Sequence, residues 1–178
     1  VGAFLANLVS FQVCWFAFVW GGANGRWWLG FIPLALFAAW QLKASRWPRT
    51  DVGLMVVALL LGIGIESAMA ASGLFAYASP VPSPHWAPLW MLGMWLNFAL
   101  TINHSMAWFK SQLALGALFG LLGGPLTYWL AGRAWGAVTI AEPQWPALLV
   151  LGVAWAIAMP LLSALAVRWV RIEETAAA

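Results

Sequence analysis

The sequence predicts an all-α fold: a polytopic membrane helix bundle of about six transmembrane helices with both termini cytoplasmic. Three observations lead there. Only 7% of the 178 residues are charged and 64% are hydrophobic, whereas an ordinary soluble domain is about a quarter charged. Mean hydropathy is +0.87, so lipid must be the solvent for most of the exterior. Apolar runs of span length also recur between short turns that hold the cations. At this length the chain forms one transmembrane domain over residues 1–178.

The spans can be taken in order. The first, about 2–20, ends at GGANGR and carries no cationic lead-in or A-x-A site, so it reads as a retained span. The second, about 27–42, is short and contains Pro33, which removes a backbone donor. Lys43, Arg46 and Arg49 crowd the next loop, and Thr50 or Asp51 opens the third span, about 52–71. An acidic residue there suits free N–H groups and the helix dipole, so Asp51 reads as a cap. A loop with Pro80, Pro82, Pro84 and Pro88 and no charged residue follows. The fourth span is about 87–109, the fifth about 112–131 and the sixth about 147–170, before the polar tail RIEETAAA.

Six spans place both termini on one side. With that side cytoplasmic, Lys43, Arg46, Arg49, Lys110, Arg168 and Arg171 lie inside, and Arg26 and Arg133 outside, as the positive-inside rule requires. This explains the net charge of +3 without a nucleic-acid partner. Many of the 15 tryptophans fall at span ends, where an aromatic belt accounts for them. Gly116, Gly120 and Gly124 on span five, and Ala58 and Gly62 on span three, are ridges for close helix packing within the fold.

Intramembrane polar groups are costly, so each is a candidate. If span four is one helix, Trp90, Met94, Asn97, Thr101, His104 and Trp108 share a stripe. Glu66 is the one acid well inside a span. It lies about 22 Å from the inner start of span three, with Asn97 at about 20 Å and His104 at about 9 Å on span four. Tyr128 and Gln12 fall in the same band as Glu66, giving a candidate ligand pocket of Glu66, Asn97, Gln12 and Tyr128. Asn103, His104 and Ser105 form a second, lower group, and Trp90 and Trp108 bound the stripe. A hydrogen-bonded network that only locks the bundle is the competing reading, and it ranks ahead.

No catalytic set, metal site or cofactor is assigned. His85 and His104 lie about 28 Å apart along span four, too far to share a haem. Familiar catalytic and phosphate-binding motifs are missing from the sequence. Cys14 is a small hydrophobe in an apolar run.

Three segments together, FQVCWFAFVWGGANGRWWLG, the APLWM…MW…FALTINHSMAWF stretch and GGPLTYWLAGRAWGAV, resemble the bacterial inner-membrane family of domain of unknown function 2878. Gln12, Trp15, Glu66, Pro88, Trp90, Trp95, Asn103, Ser105, Trp108, Gly124, Pro125 and Tyr128 match its pattern. The resemblance implies a small multi-pass protein of the bacterial inner membrane without an established activity. It also implies a lipid-linked role, because relatives are encoded near lipid-modifying enzymes such as cyclopropane-fatty-acid synthase-like proteins. The tryptophan-rich sensory proteins share the Trp content but differ in span number and motif order.

The expectation is therefore a non-enzymatic protein that binds a lipid or other hydrophobic ligand and is accessory to membrane-lipid modification. Its partners are the bilayer and that ligand, with room for a protein partner. The alternatives are a small proton-coupled transporter using Glu66, built as three plus three inverted spans, or a structural subunit of a membrane complex. An enzyme using Glu66 or His104 is disfavoured, because about 13 Å of depth separates the two groups.

Overall fold

The computed structural model describes residues 2–177. Six α-helices dominate: α1 (Gly2–Ala23), α2 (Phe31–Ala44), α3 (Pro48–Ala71), α4 (Leu89–Ala99), α5 (Leu113–Trp135) and α6 (Gln144–Ala177). Two short strands, β1 (Phe75–Tyr77) and β2 (Val138–Ile140), and a 3-10 turn at Ala107–Ser111 complete the described chain. Helices α1, α3, α5 and α6 are long and apolar enough to cross a membrane. The 14 residues of α2 and the 11 of α4 rise only about 21 Å and about 16 Å.

Local signals set several helix ends. Pro48 opens α3, where its missing N–H has no helical partner to lose. Gly136 closes α5 at φ 66°, a left-handed conformation that glycine adopts without strain. Large apolar side chains such as Val9, Leu36, Leu60, Leu122 and Ile157 stand exposed on the outside. Lipid, which asks nothing polar of them, suits that surface.

Helix α4 is the centre of the bundle. It packs against α1, α2 and α3, while α6 joins α3 to α5. Trp90 and Trp95 on α4 are completely enclosed or nearly so. Small residues make room for them: a Cβ on Gly62 would sit 2.6 Å from the Trp95 ring, and one on Gly22 would sit 2.9 Å from Trp90. On α5, a Cβ on Gly120 would meet the Trp155 carbonyl at 2.3 Å. The Gly116–Gly120–Gly124 ridge therefore packs on α6 inside this chain, as its spacing implied.

The fourth span departs from expectation. Instead of one helix over 87–109, α4 stops at Ala99, and Leu100–Met106 runs as turns into the 3-10 segment. The single stripe from Trp90 to Trp108 is therefore broken. Leu100 and Ile102 are fully buried in this irregular stretch. Non-helical backbone at such depth survives only where protein satisfies its polar groups, and here Asn7 of α1 donates to the Leu100 carbonyl at 2.9 Å.

Two connections expected as loops also carry structure. β1 and β2 pair antiparallel, with Phe75 opposite Ile140 and Tyr77 opposite Val138. This ribbon ties the α3–α4 connection to the α5–α6 connection across one end of the bundle. At the opposite end α6 runs on to Ala177, so the tail RIEETAAA is largely helix. The helix lengths of the two halves, 22, 14 and 24 residues against 11, 23 and 34, do not correspond as inverted repeats would.

Candidate functional site

Glu66 lies on the inward face of α3 with no exposed surface. Three donors from three other elements converge on its carboxylate. Tyr77 Oη on β1 donates to Oε2 at 2.6 Å. Trp95 Nε1 on α4 donates to Oε1 at 2.8 Å. Tyr128 Oη on α5 also donates to Oε1. The three bonds engage both carboxyl oxygens. No cationic side chain among the described residues pairs with it. The surroundings are aromatic: Trp95 stacks on Trp155 with centroids 4.5 Å apart, and Phe75 meets Tyr128 edge-on at 5.8 Å. Trp155 Nε1 is itself buried without a hydrogen-bond partner. The ribbon and the Ser72–Pro88 segment close this end, through Ser79 Oγ donating to the Gly22 carbonyl at 2.7 Å and Trp90 Nε1 donating to the Ala78 carbonyl at 2.9 Å.

A second polar group forms fifteen residues back along α3, about 22 Å away. Asp51 is fully buried. Its Oδ1 accepts from Asn103 Nδ2 at 2.8 Å, and His104 Nε2 lies 3.0 Å from Oδ2. Lys110 Nζ donates to Asn103 Oδ1 at 3.0 Å and lies 5.4 Å from the centre of the Trp47 ring. Half-burial holds the Lys110 ammonium below the usual lysine range, against the opposing pull of Asp51 and Glu174. Asp51 is thus not the cap of α3. That role falls to Glu173 of α6, whose carboxylate accepts from Arg49 N at 3.2 Å, Thr50 N at 2.9 Å and Thr50 Oγ1 at 2.7 Å. A third group sits beside it. Asn7 donates to Gln41 Oε1 at 2.8 Å and accepts from the backbone and hydroxyl of Ser105.

The same end carries an open groove between the start of α3 and the end of α6. One part, about 270 Å³, is lined by Gly53, Trp169, Ile172 and Ala176, with Arg49, Thr50 and Glu173 at its border. The adjoining part, about 280 Å³, adds Arg46, Trp47 and Glu174 and shares Arg49, Glu173 and Ala176 with the first. The floor of the first part is apolar, and charges of both signs border both parts. Glu174 Oε1 accepts from Trp47 Nε1 at 3.1 Å and lies 4.0 Å from the Arg46 guanidinium.

The family described as Protein of unknown function (DUF2878) matches residues 4–161. The chain belongs to this family. No curated protein and no solved structure matches it. The DUF2878 match takes in Asn7, Asp51, Glu66, Tyr128 and His104, whereas Trp169 and Glu173 lie beyond it.

Within the DUF2878 stretch, the candidate residues separate into distinct places. Glu66 and Tyr128 meet directly. Asn97 is buried at similar depth but faces α1, donating to the Phe11 carbonyl at 3.1 Å, and its Oδ1 has no partner. Gln12 is exposed on α1 and takes no part in the Glu66 cluster. Asn103 and His104 join Asp51, and Ser105 turns to Asn7. Trp90 packs edge-on against Tyr77 at 6.3 Å, and Trp108 is 56% exposed, outside every cluster. Tyr77, Trp95, Asp51 and Asn7 complete the clusters and were not among the candidates. Only Tyr77 left a signal, since FAY and VTI are short runs of strand-forming residues.

Proposed function

We propose that this protein binds a membrane lipid in the α3–α6 groove, as a multi-pass protein of the bacterial inner membrane with its cation-rich end in the cytoplasm. The observation that carries the reading is the amphipathic lining: an apolar floor of Gly53, Trp169 and Ile172 continuing into a charged rim of Arg46, Arg49 and Glu174. Such a lining matches an amphiphile, with its chain on the floor and its headgroup at the rim. Trp47 and Trp169 line the groove, and the preference of tryptophan for the membrane interface supports a rim at headgroup depth. The Glu66 and Asp51 networks then serve as the frame. Each joins α3 to other elements of the bundle.

Native mass spectrometry of protein released from mild detergent tests this, comparing wild type with Ala176→Trp. Ala176 is exposed on the groove wall, so the larger ring fills the groove without entering the core. Retention of a lipid by wild type and its loss in the variant, at unchanged thermal stability, supports the reading. Equal retention by both proteins defeats it.

One observation favours a second reading, proton-coupled transport. Two fully buried carboxylates, Asp51 and Glu66, lie along one helix, and intramembrane acids mark proton relays. In that case Glu66→Gln and Asp51→Asn each abolish a proton flux in liposomes that wild type supports.

A further inference from the structure

We infer that the groove selects a phospholipid whose headgroup carries a primary ammonium beside its phosphate, an ethanolamine-type lipid. This rests on the groove being the lipid site and adds the chemistry of its rim.

The rim is not simply basic. Arg49 is exposed, and its guanidinium forms no ion pair or hydrogen bond among the described residues. Its charge acts on nearby Glu173, but its N–H groups are open to a phosphate, and Arg46, with its side chain 79% exposed and 4.0 Å from Glu174, lines the same groove. The two acids differ in what they have left to offer. Glu173 uses both oxygens to cap α3. Glu174 uses Oε1 alone, toward Trp47 and Arg46, and Oε2 has no partner among the described residues. One carboxylate oxygen without a partner among the described residues therefore stands on the α6 wall, across the groove from the Arg49 guanidinium on the α3 wall.

An anionic glycerol headgroup satisfies Arg49 but brings more negative charge to Glu174. A choline headgroup neutralises the charge, yet its quaternary nitrogen has no N–H to give Glu174 Oε2. A primary ammonium supplies both the positive charge and the donors. Its phosphate meanwhile reaches Arg49 and the acyl chain lies against Trp169 and Ile172. The charge pattern of the rim thus reads phosphate and ammonium together.

The test is lipid competition followed by native mass spectrometry. Wild type, Glu174→Gln, Arg49→Gln and Ala176→Trp are each exposed to equimolar phosphatidylethanolamine, phosphatidylcholine and phosphatidylglycerol with matched chains. Wild type is expected to retain the ethanolamine lipid several-fold over the other two. Glu174→Gln keeps a bound lipid but loses the preference of ethanolamine over choline. Arg49→Gln weakens all three, and Ala176→Trp removes them. Glu174 is a partly exposed residue near the end of α6, so its variant folds. A wild-type preference for the glycerol lipid, or an ethanolamine preference that survives Glu174→Gln, overturns the headgroup assignment while leaving the groove intact. Retention unchanged by Ala176→Trp overturns the groove itself.

Discussion

Replacing Glu66 separates two ideas of what a buried carboxylate does in a membrane bundle. Three donors end on it, from Tyr77, Trp95 and Tyr128. Glu66→Leu leaves Tyr77 and Trp95 enclosed without this acceptor and Tyr128 with only the weak Met91 Sδ contact at 3.6 Å. Interhelical hydrogen bonds in membranes average about 0.6 kcal/mol each, a floor of about 2 kcal/mol for three. A buried donor left unpaired costs about 1–3 kcal/mol, a ceiling of about 9 kcal/mol. Glu66→Gln behaves differently. Its amide oxygen can still accept from Trp95 and Tyr128. Its NH₂ can donate to the Tyr77 hydroxyl, which turns from donor to acceptor. The expected cost is within about 1 kcal/mol, the worth of one ordinary hydrogen bond. Thermal unfolding in detergent, followed by tryptophan fluorescence, ranks the variants. With 15 tryptophans spread through the bundle, the signal reports unfolding of the whole fold. The prediction is wild type close to Gln, and Leu far below both. If Gln is as damaging as Leu, the negative charge rather than acceptor geometry holds the site together, and the hydrogen-bond account is wrong.

Other perturbations test the remaining parts of the frame. Asn7→Leu frees the Leu100 carbonyl, Gln41 and Ser105 together and should cost about 2–4 kcal/mol; chemical denaturation in mixed micelles measures it, and a neutral result would mean that Asn7 does not stabilise the break after α4. Gly120→Val drives a Cβ into the Trp155 carbonyl and should prevent α5–α6 packing, whereas Gly64→Ala meets open space and should gain about 0.5–1 kcal/mol, as the two melting temperatures will report. Lys110 binds its proton less tightly folded than unfolded, so stability should rise with pH from its lowered folded value up to the ordinary lysine value. Lys110→Met should flatten that rise in melting curves taken between pH 8 and pH 11.

Much of the architecture was legible because it depends on local composition. Apolar run lengths gave the helices, and glycine spacing gave the α5 ridge that meets α6. Depth counting paired Glu66 with Tyr128 correctly. It carries no information about rotation around a helix axis, however, so it also placed Gln12 and Asn97 with them. Gln12 turns outward and Asn97 turns to α1. The break after Ala99 has no Pro or Gly to announce it. Its stability comes from Asn7, ninety-three residues away in sequence from the carbonyl it holds. Asp51 looked like a cap because acids at helix starts usually are, and only the fold brings His104, Asn103 and Glu173 to α3. Tyr77 reached the Glu66 site through strand pairing between two connections, which is a long-range event.

The groove between α3 and α6 is the centre of this account, and lipid photocrosslinking tests it most directly. A phosphatidylethanolamine with a diazirine in its acyl chain is incorporated into nanodiscs with the protein, activated, and the adducts are located by peptide mass spectrometry. The account predicts adducts concentrated on Gly53, Trp169, Ile172 and Ala176, and suppressed by excess unlabelled lipid. Adducts spread evenly over the outward faces of α1 and α5, and unaffected by competitor, would contradict it.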